Sequence, residues 1–135
     1  MATDKMSRPP VVSVLAILLL LFGLLAFLGS LFLWGGGFLL NPPPGTDLTF
    51  PIPDILVNGP ASVIAAVGLW RMTRWGYAAS QFVAGFYTYA SVEIFSMVAQ
   101  EGPPYPMEII VPQVLALAVA AALVLYMWRI RDLFR

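Results

Sequence analysis

The chain reads as four apolar runs separated by short polar or proline-rich stretches. Nowhere do apolar and polar residues alternate with period two, so membrane helices are expected and a barrel is not. The first run, 11–34, carries no charge and is broken only by Ser13, Gly23, Gly29 and Ser30. At about 1.5 Å rise per residue, roughly 20 residues cross the ~30 Å hydrocarbon core, so this run spans it with some tilt. It outruns the roughly 7 to 15 apolar residues of a cleaved leader, and no small-residue cleavage site follows it, so we expect it to remain as a helix. The second run, 54–72, is shorter; Pro53 and Asp54 make a good helix opening, and Trp70, Arg71 and Arg74 mark an interfacial end. The third, 75–99, is unusually polar, with Ser80, Gln81, Thr88, Ser91, Glu93 and Ser96 inside it, and needs protein neighbours. The fourth, 107–130, has Pro112 and Gln113 in its first turns and an Ala/Leu/Val stretch after them. The expected architecture is all-α: one membrane domain over 1–135, an integral membrane four-helix bundle with an outer loop at 35–53.

The basic residues test this reading independently, because Lys and Arg are retained on the cytoplasmic side. Lys5 and Arg8 precede the first helix, Arg71 and Arg74 separate the second from the third, and Arg129, Arg131 and Arg135 follow the fourth, which accounts for all seven. The loops 35–53 and 100–106 carry none. Both termini are therefore expected in the cytoplasm and the protein in the plasma or inner membrane. Trp70, Trp75, Tyr77, Tyr126 and Trp128 form an inner aromatic belt, and Trp34, Phe38, Phe50 and Tyr105 a sparser outer one.

Composition sharpens the picture. Of 135 residues, 60% are hydrophobic and 10% charged, against roughly 25% charged in soluble domains. Seven basic and seven acidic residues cancel, but the zero is polarised. Seven basic residues against Asp4 and Asp132 leave plus five inside; Asp47, Asp54, Glu101 and Glu108 lie outside, and Glu93 within a span. Anionic lipid head groups at the cytoplasmic face are thus expected partners, at about 1 kcal/mol per basic residue near the surface, and nucleic acid is not. With neither cysteine nor histidine, the chain offers no thiolate, imidazole base, axial haem ligand or typical zinc site. No metal, no cofactor and no enzymatic activity are expected.

The outer loops are both proline-rich, Asn41-Pro42-Pro43-Pro44-Gly45 and Gly102-Pro103-Pro104-Tyr105-Pro106. Asp54-Ile55-Leu56-Val57 leads to Pro60 as Glu108-Ile109-Ile110-Val111 leads to Pro112, and Trp70-Arg71 at one inner end matches Trp128-Arg129 at the other. Two repeated hairpins about an axis along the membrane normal account for this; shared membrane grammar at helix ends accounts for it too. Pro60 and Pro112 are candidate helix kinks in the outer half, which would splay the second and fourth helices into an outward-facing vestibule.

Glu93 is the one charged side chain in the interior of a run, away from its ends, which makes it a functional candidate. It lies about six residues, roughly 9 Å, outward of its helix midpoint. Tyr89, Glu93, Ser96 and Gln100 form one polar stripe, and Asn58 and Gln113 sit at matching depth on neighbouring helices. Glu93, Asn58, Gln113, Tyr89 and Ser96 are therefore the candidate site for a ligand or proton, the alternative being an interhelical hydrogen-bonded cluster that fixes packing. Small residues at Ser13, Ala16, Gly23, Ala26 and Ser30 on the first helix suit close helix approach.

At Gly68-Leu69-Trp70-Arg71-Met72-Thr73-Arg74-Trp75-Gly76 the chain resembles a hairpin common in small four-span prokaryotic membrane proteins of unknown function, whose inner turn reads Gly-Leu-Trp, basic residues, then Trp-Gly or Trp-Ala. The likeness covers this hairpin and the overall plan, and implies no activity. In size the chain is also similar to the small multidrug-resistance transporters. Those carry their essential glutamate in the first helix, which here has no charge, so that likeness implies no site.

Two functions are expected from this reading. One is a structural or accessory subunit of a membrane complex or homo-oligomer. The other is a small transporter or a binding protein for a lipid or hydrophobic ligand, using an outward-facing polar site around Glu93. A polar cavity reaching Glu93 favours the second, and a filled interior with a bare apolar flank favours the first.

Overall fold

The computed structural model describes residues 8–34, 51–105 and 107–135. Lys5, Asp47 and most of the expected 35–53 loop, with its Asn41–Gly45 proline run, lie outside them. Four long helices make up the fold: α1 Pro10–Trp34, α2 Pro51–Trp70, α3 Arg74–Glu101 and α4 Met107–Arg129. A short 3-10 turn, Arg131–Leu133, follows. All four helices are long and apolar enough to cross a membrane, so the fold is that of a helical multi-pass membrane protein. They pack in chain order, α1 on α2, α2 on α3 and α3 on α4, while α1 touches α4 only sparingly.

α2 begins at Pro51, ahead of the Asp54 opening read from sequence, because the fixed φ of Pro51 and Pro53 suits a first turn. Its next turn is irregular. Asp54–Asn58 is a π turn, closed by the Gly59 N–H donating to the Asp54 carbonyl. Pro60 explains it: with no N–H, and a ring that crowds the carbonyl of Leu56, proline disturbs the regular ladder just where the turn widens. Pro112 lies inside α4, beyond its first turn, so the bond to the Glu108 carbonyl is lost there too.

The end bearing the arginines is tightly tied. Gly68 of α2 and Gly76 of α3 meet backbone to backbone, and a Cβ on either would overlap the other's main chain. The turn between them reverses through Met72 at φ 54°. Thr73 closes it, its hydroxyl donating to the Gly68 carbonyl at 3.2 Å and accepting from the Gly76 N–H, the first-turn donor of α3, at 3.2 Å. The Gly-Leu-Trp turn therefore marks close helix approach: its glycines are where two helices touch. Arg8 fastens α1 to the same end. It donates to Ser13 Oγ and to the Trp70 carbonyl, both at 2.7 Å, and lies over the Trp70 ring at 3.8 Å. After α4 the chain folds back, burying Phe134 against Tyr77 and pairing Arg135 with the turn through Arg135 N–H to Met72 O and Arg74 N–H to Arg135 O.

The closed core fills this half of the bundle. Leu15 and Leu19 of α1, Ala65 and Leu69 of α2, Val83 and Ala84 of α3, and Leu123 and Met127 of α4 are buried together. The small face of α1 lies on α2: Ala16 is buried in this core and Gly23 backs onto Ser62.

Candidate functional site

Towards the other end the same helices leave a cavity of about 490 Å³ at the sparsely packed seam between α1 and α4. That is the size of a small-molecule site, roughly 300–1,000 Å³. Phe22, Leu25 and Ala26 of α1 face Leu115 and Ala116 of α4 across it, and Phe86, Ala90 and Ile94 of α3 back it. Leu25 and Leu115, 68% and 52% exposed, flank the mouth, so the cavity opens sideways, between helices. Its walls are apolar.

Its floor is polar and belongs mainly to α2. Asp54, Asn58 and Ser62 recur every fourth residue, one face of a helix. Asn58 Nδ2 donates to Asp54 Oδ1 at 2.8 Å, Ser62 Oγ donates to Asn58 Oδ1 at 3.1 Å, and Ser62 Oγ lies 3.0 Å from the Tyr87 hydroxyl of α3. Ser30 of α1 reaches Asp54 Oδ2 at 3.5 Å. Ser62 is fully buried and Tyr87 nearly so, and the tilted Phe22–Tyr87 ring pair, 6.1 Å between centroids, packs beside them. On the far side of the cavity, Ser91 of α3 donates to the Gln113 carbonyl at 3.3 Å and to its Oε1 at 3.2 Å. Three helices thus converge on one connected polar chain, and every buried side-chain polar atom among the described residues has a partner.

The candidate residues divide. Asn58 and Gln113 both line the cavity, but their bonded partners are Asp54 and Ser91. Glu93, Tyr89 and Ser96 are not part of its lining. Tyr89, 67% exposed, and Ser96 lie on the outer face of α3, where Ser96 returns its proton to the Val92 carbonyl at 2.8 Å. Glu93 is half-buried and makes no hydrogen bond or ion pair among the described residues. Asp54 takes the place expected of Glu93. In the sequence it reads as an interfacial acid at a helix opening; the signal that singles it out is its spacing with Asn58 and Ser62, followed by a proline that demands a widened turn.

Chemically, the cavity offers an apolar slot and, at its base, a carboxylate with two amides. Among the described residues no three acidic side chains gather as they would around a metal ion. The arrangement suits a molecule with an apolar body and a polar head. No family model, no curated protein and no solved structure matches this chain.

Proposed function

We propose that this protein is a small, non-enzymatic membrane protein that binds one amphiphilic ligand in the lateral cleft between α1 and α4. The observation that carries the reading is the cleft itself: apolar walls open at a helix seam, over a floor in which Asp54, Asn58, Ser62 and Tyr87 form one hydrogen-bonded chain. Binding is favoured over catalysis because the chain has neither histidine nor cysteine to serve as base or nucleophile. In this reading the arginine end faces the cytoplasm of a plasma or inner membrane, both termini with it, as the positive-inside rule requires. Arg74, Arg131 and Tyr77 there border a shallow cavity of about 370 Å³ that meets anionic head groups. Native mass spectrometry of the protein released from lipid nanodiscs tests the binding: we expect one retained amphiphile per chain, lost when Ala90→Trp fills the cleft. Bare protein, or an adduct that survives the substitution, would count against it.

A second reading rests on a different face. Tyr89, Ser96 and Gln100 lie exposed on α3, with Glu93 beside them, and polar groups facing lipid are costly. This supports an accessory-subunit or homo-oligomer role in which another chain covers α3. The chain has no cysteine, so a single one introduced by Tyr89→Cys reports directly: rapid disulfide cross-linking in the membrane is expected of a self-associated α3, and none of a lone bundle.

A further inference from the structure

The hydrogen bonds on the cleft floor all run one way. Ser62 has a single hydroxyl proton and gives it to Asn58 Oδ1 at 3.1 Å. The Tyr87 hydroxyl, 3.0 Å from Ser62 Oγ, must therefore be the donor in that pair. Asn58 passes the direction on, its Nδ2 donating to Asp54 Oδ1 at 2.8 Å, and Ser30 donates to Oδ2 at 3.5 Å from the other side. Tyr87, Ser62, Asn58 and Ser30 thus all end on one carboxylate. Aligned donors reinforce one another in a low-dielectric site, so Asp54 is the acceptor pole of the cleft.

Among the described residues that pole has no counter-charge of its own. The six arginines, all among the described residues, belong to the opposite end of the bundle. Arg71, which follows α2, lies about 25 Å from Asp54 at 1.5 Å per residue. A carboxylate among apolar walls is paired, neutralised by a proton, or costly, and a cationic ligand supplies the pairing charge that the described residues do not. The rest of the cleft agrees. Gln113 adds an amide whose oxygen has a second lone pair, and the rings of Phe22, Phe86 and Tyr87 border the same space and attract a cation to their faces. Among the described residues no cationic side chain lines the cleft to receive a phosphate or carboxylate head.

We propose that the ligand is a cationic amphiphile, a protonated amine on an apolar body, with the ammonium at Asp54 and the body lying in the slot between α1 and α4. This rests on the cleft being a ligand site, and names the class of ligand it takes.

The unaltered protein in nanodiscs of zwitterionic lipid tests it by equilibrium binding of dodecylammonium, dodecanol and dodecanoate, with empty nanodiscs as the blank. A hydrogen bond to a charged group contributes about 1.5–3 kcal/mol, so dodecylammonium should bind about 10- to 150-fold more tightly than dodecanol, with dodecanoate weakest. Asp54→Asn keeps the shape and should bring the amine down to the affinity of the alcohol while leaving the alcohol unchanged. If dodecanol or dodecanoate binds as tightly as the amine, or if the preference survives Asp54→Asn, the amine assignment fails and the cleft remains a binding site. If none of the probes binds above the empty nanodisc, the cleft reading fails with it. The comparison of probes on the unaltered chain needs no variant to fold.

Discussion

Leu19 of α1, Leu69 of α2, Val83 of α3 and Leu123 and Met127 of α4 are buried together in one filled core, whereas further along the same helices α1 and α4 stand apart over a cavity of about 490 Å³. The difference lies in what the sequence places between the helices. In the closed half Gly68 and Gly76 let two backbones touch, Arg8 ties α1 to the end of α2, and Phe134 folds back as a plug. In the open half Phe22, Phe86 and Tyr87 act as spacers. A π turn and an internal proline there disturb α2 and α4. Lipid tails are as apolar as leucine, so nothing drives such a seam shut once packing no longer does. An open seam in a membrane bundle is therefore stable as it stands and is free to be used.

This contrast can be broken first at its tightest point. Gly68→Leu drives a side chain into the Gly76 backbone and should destabilise the protein by about 3 kcal/mol or more, read as a lower midpoint in SDS unfolding from mixed micelles. A bundle that absorbs it without loss would show that the closed half is not closed by its glycines. Next comes a matched pair. Leu123→Ala leaves a void in the filled half, and with the water-to-oil term absent in lipid the remaining packing loss is about 2 kcal/mol. Leu25→Ala, at the mouth of the cleft, should cost under about 0.5 kcal/mol. Equal losses would erase the distinction between the halves. Arg8→Ala removes the carbonyl bond and the ring contact at Trp70 together, for about 1–2 kcal/mol; no loss would mean that α1 is held by packing alone.

The closed half was the more legible in the sequence, for a physical reason. Span length, arginine placement and the Gly-Leu-Trp turn are requirements that lipid and water impose on each helix separately, so they can be read one helix at a time. Which side of a helix meets protein is set by its neighbours. Glu93 stands out because it is the sole charge in the interior of a run, away from its ends, yet α3 turns Ser80, Ala84, Tyr87 and Ser91 inward and leaves Tyr89 and Ser96 on the outside. Asn58 and Gln113 were legible as polar residues at a common depth. Asp54 was not, because it reads as one more acid at a helix opening until the turn before Pro60 widens and Ser30 of α1 comes up beside it.

The cleft is room that the fold leaves and, in the proposed function, a ligand uses, and Ala90→Trp measures both at once. Ala90 lies on the cleft wall, so an indole there has space to occupy. We predict an unfolding midpoint within about 0.5 kcal/mol of the unaltered protein, together with at least a tenfold loss, about 1.4 kcal/mol, in the binding of dodecylammonium to the protein in nanodiscs. Binding that is unchanged, or a destabilisation on the scale of Gly68→Leu, would contradict it.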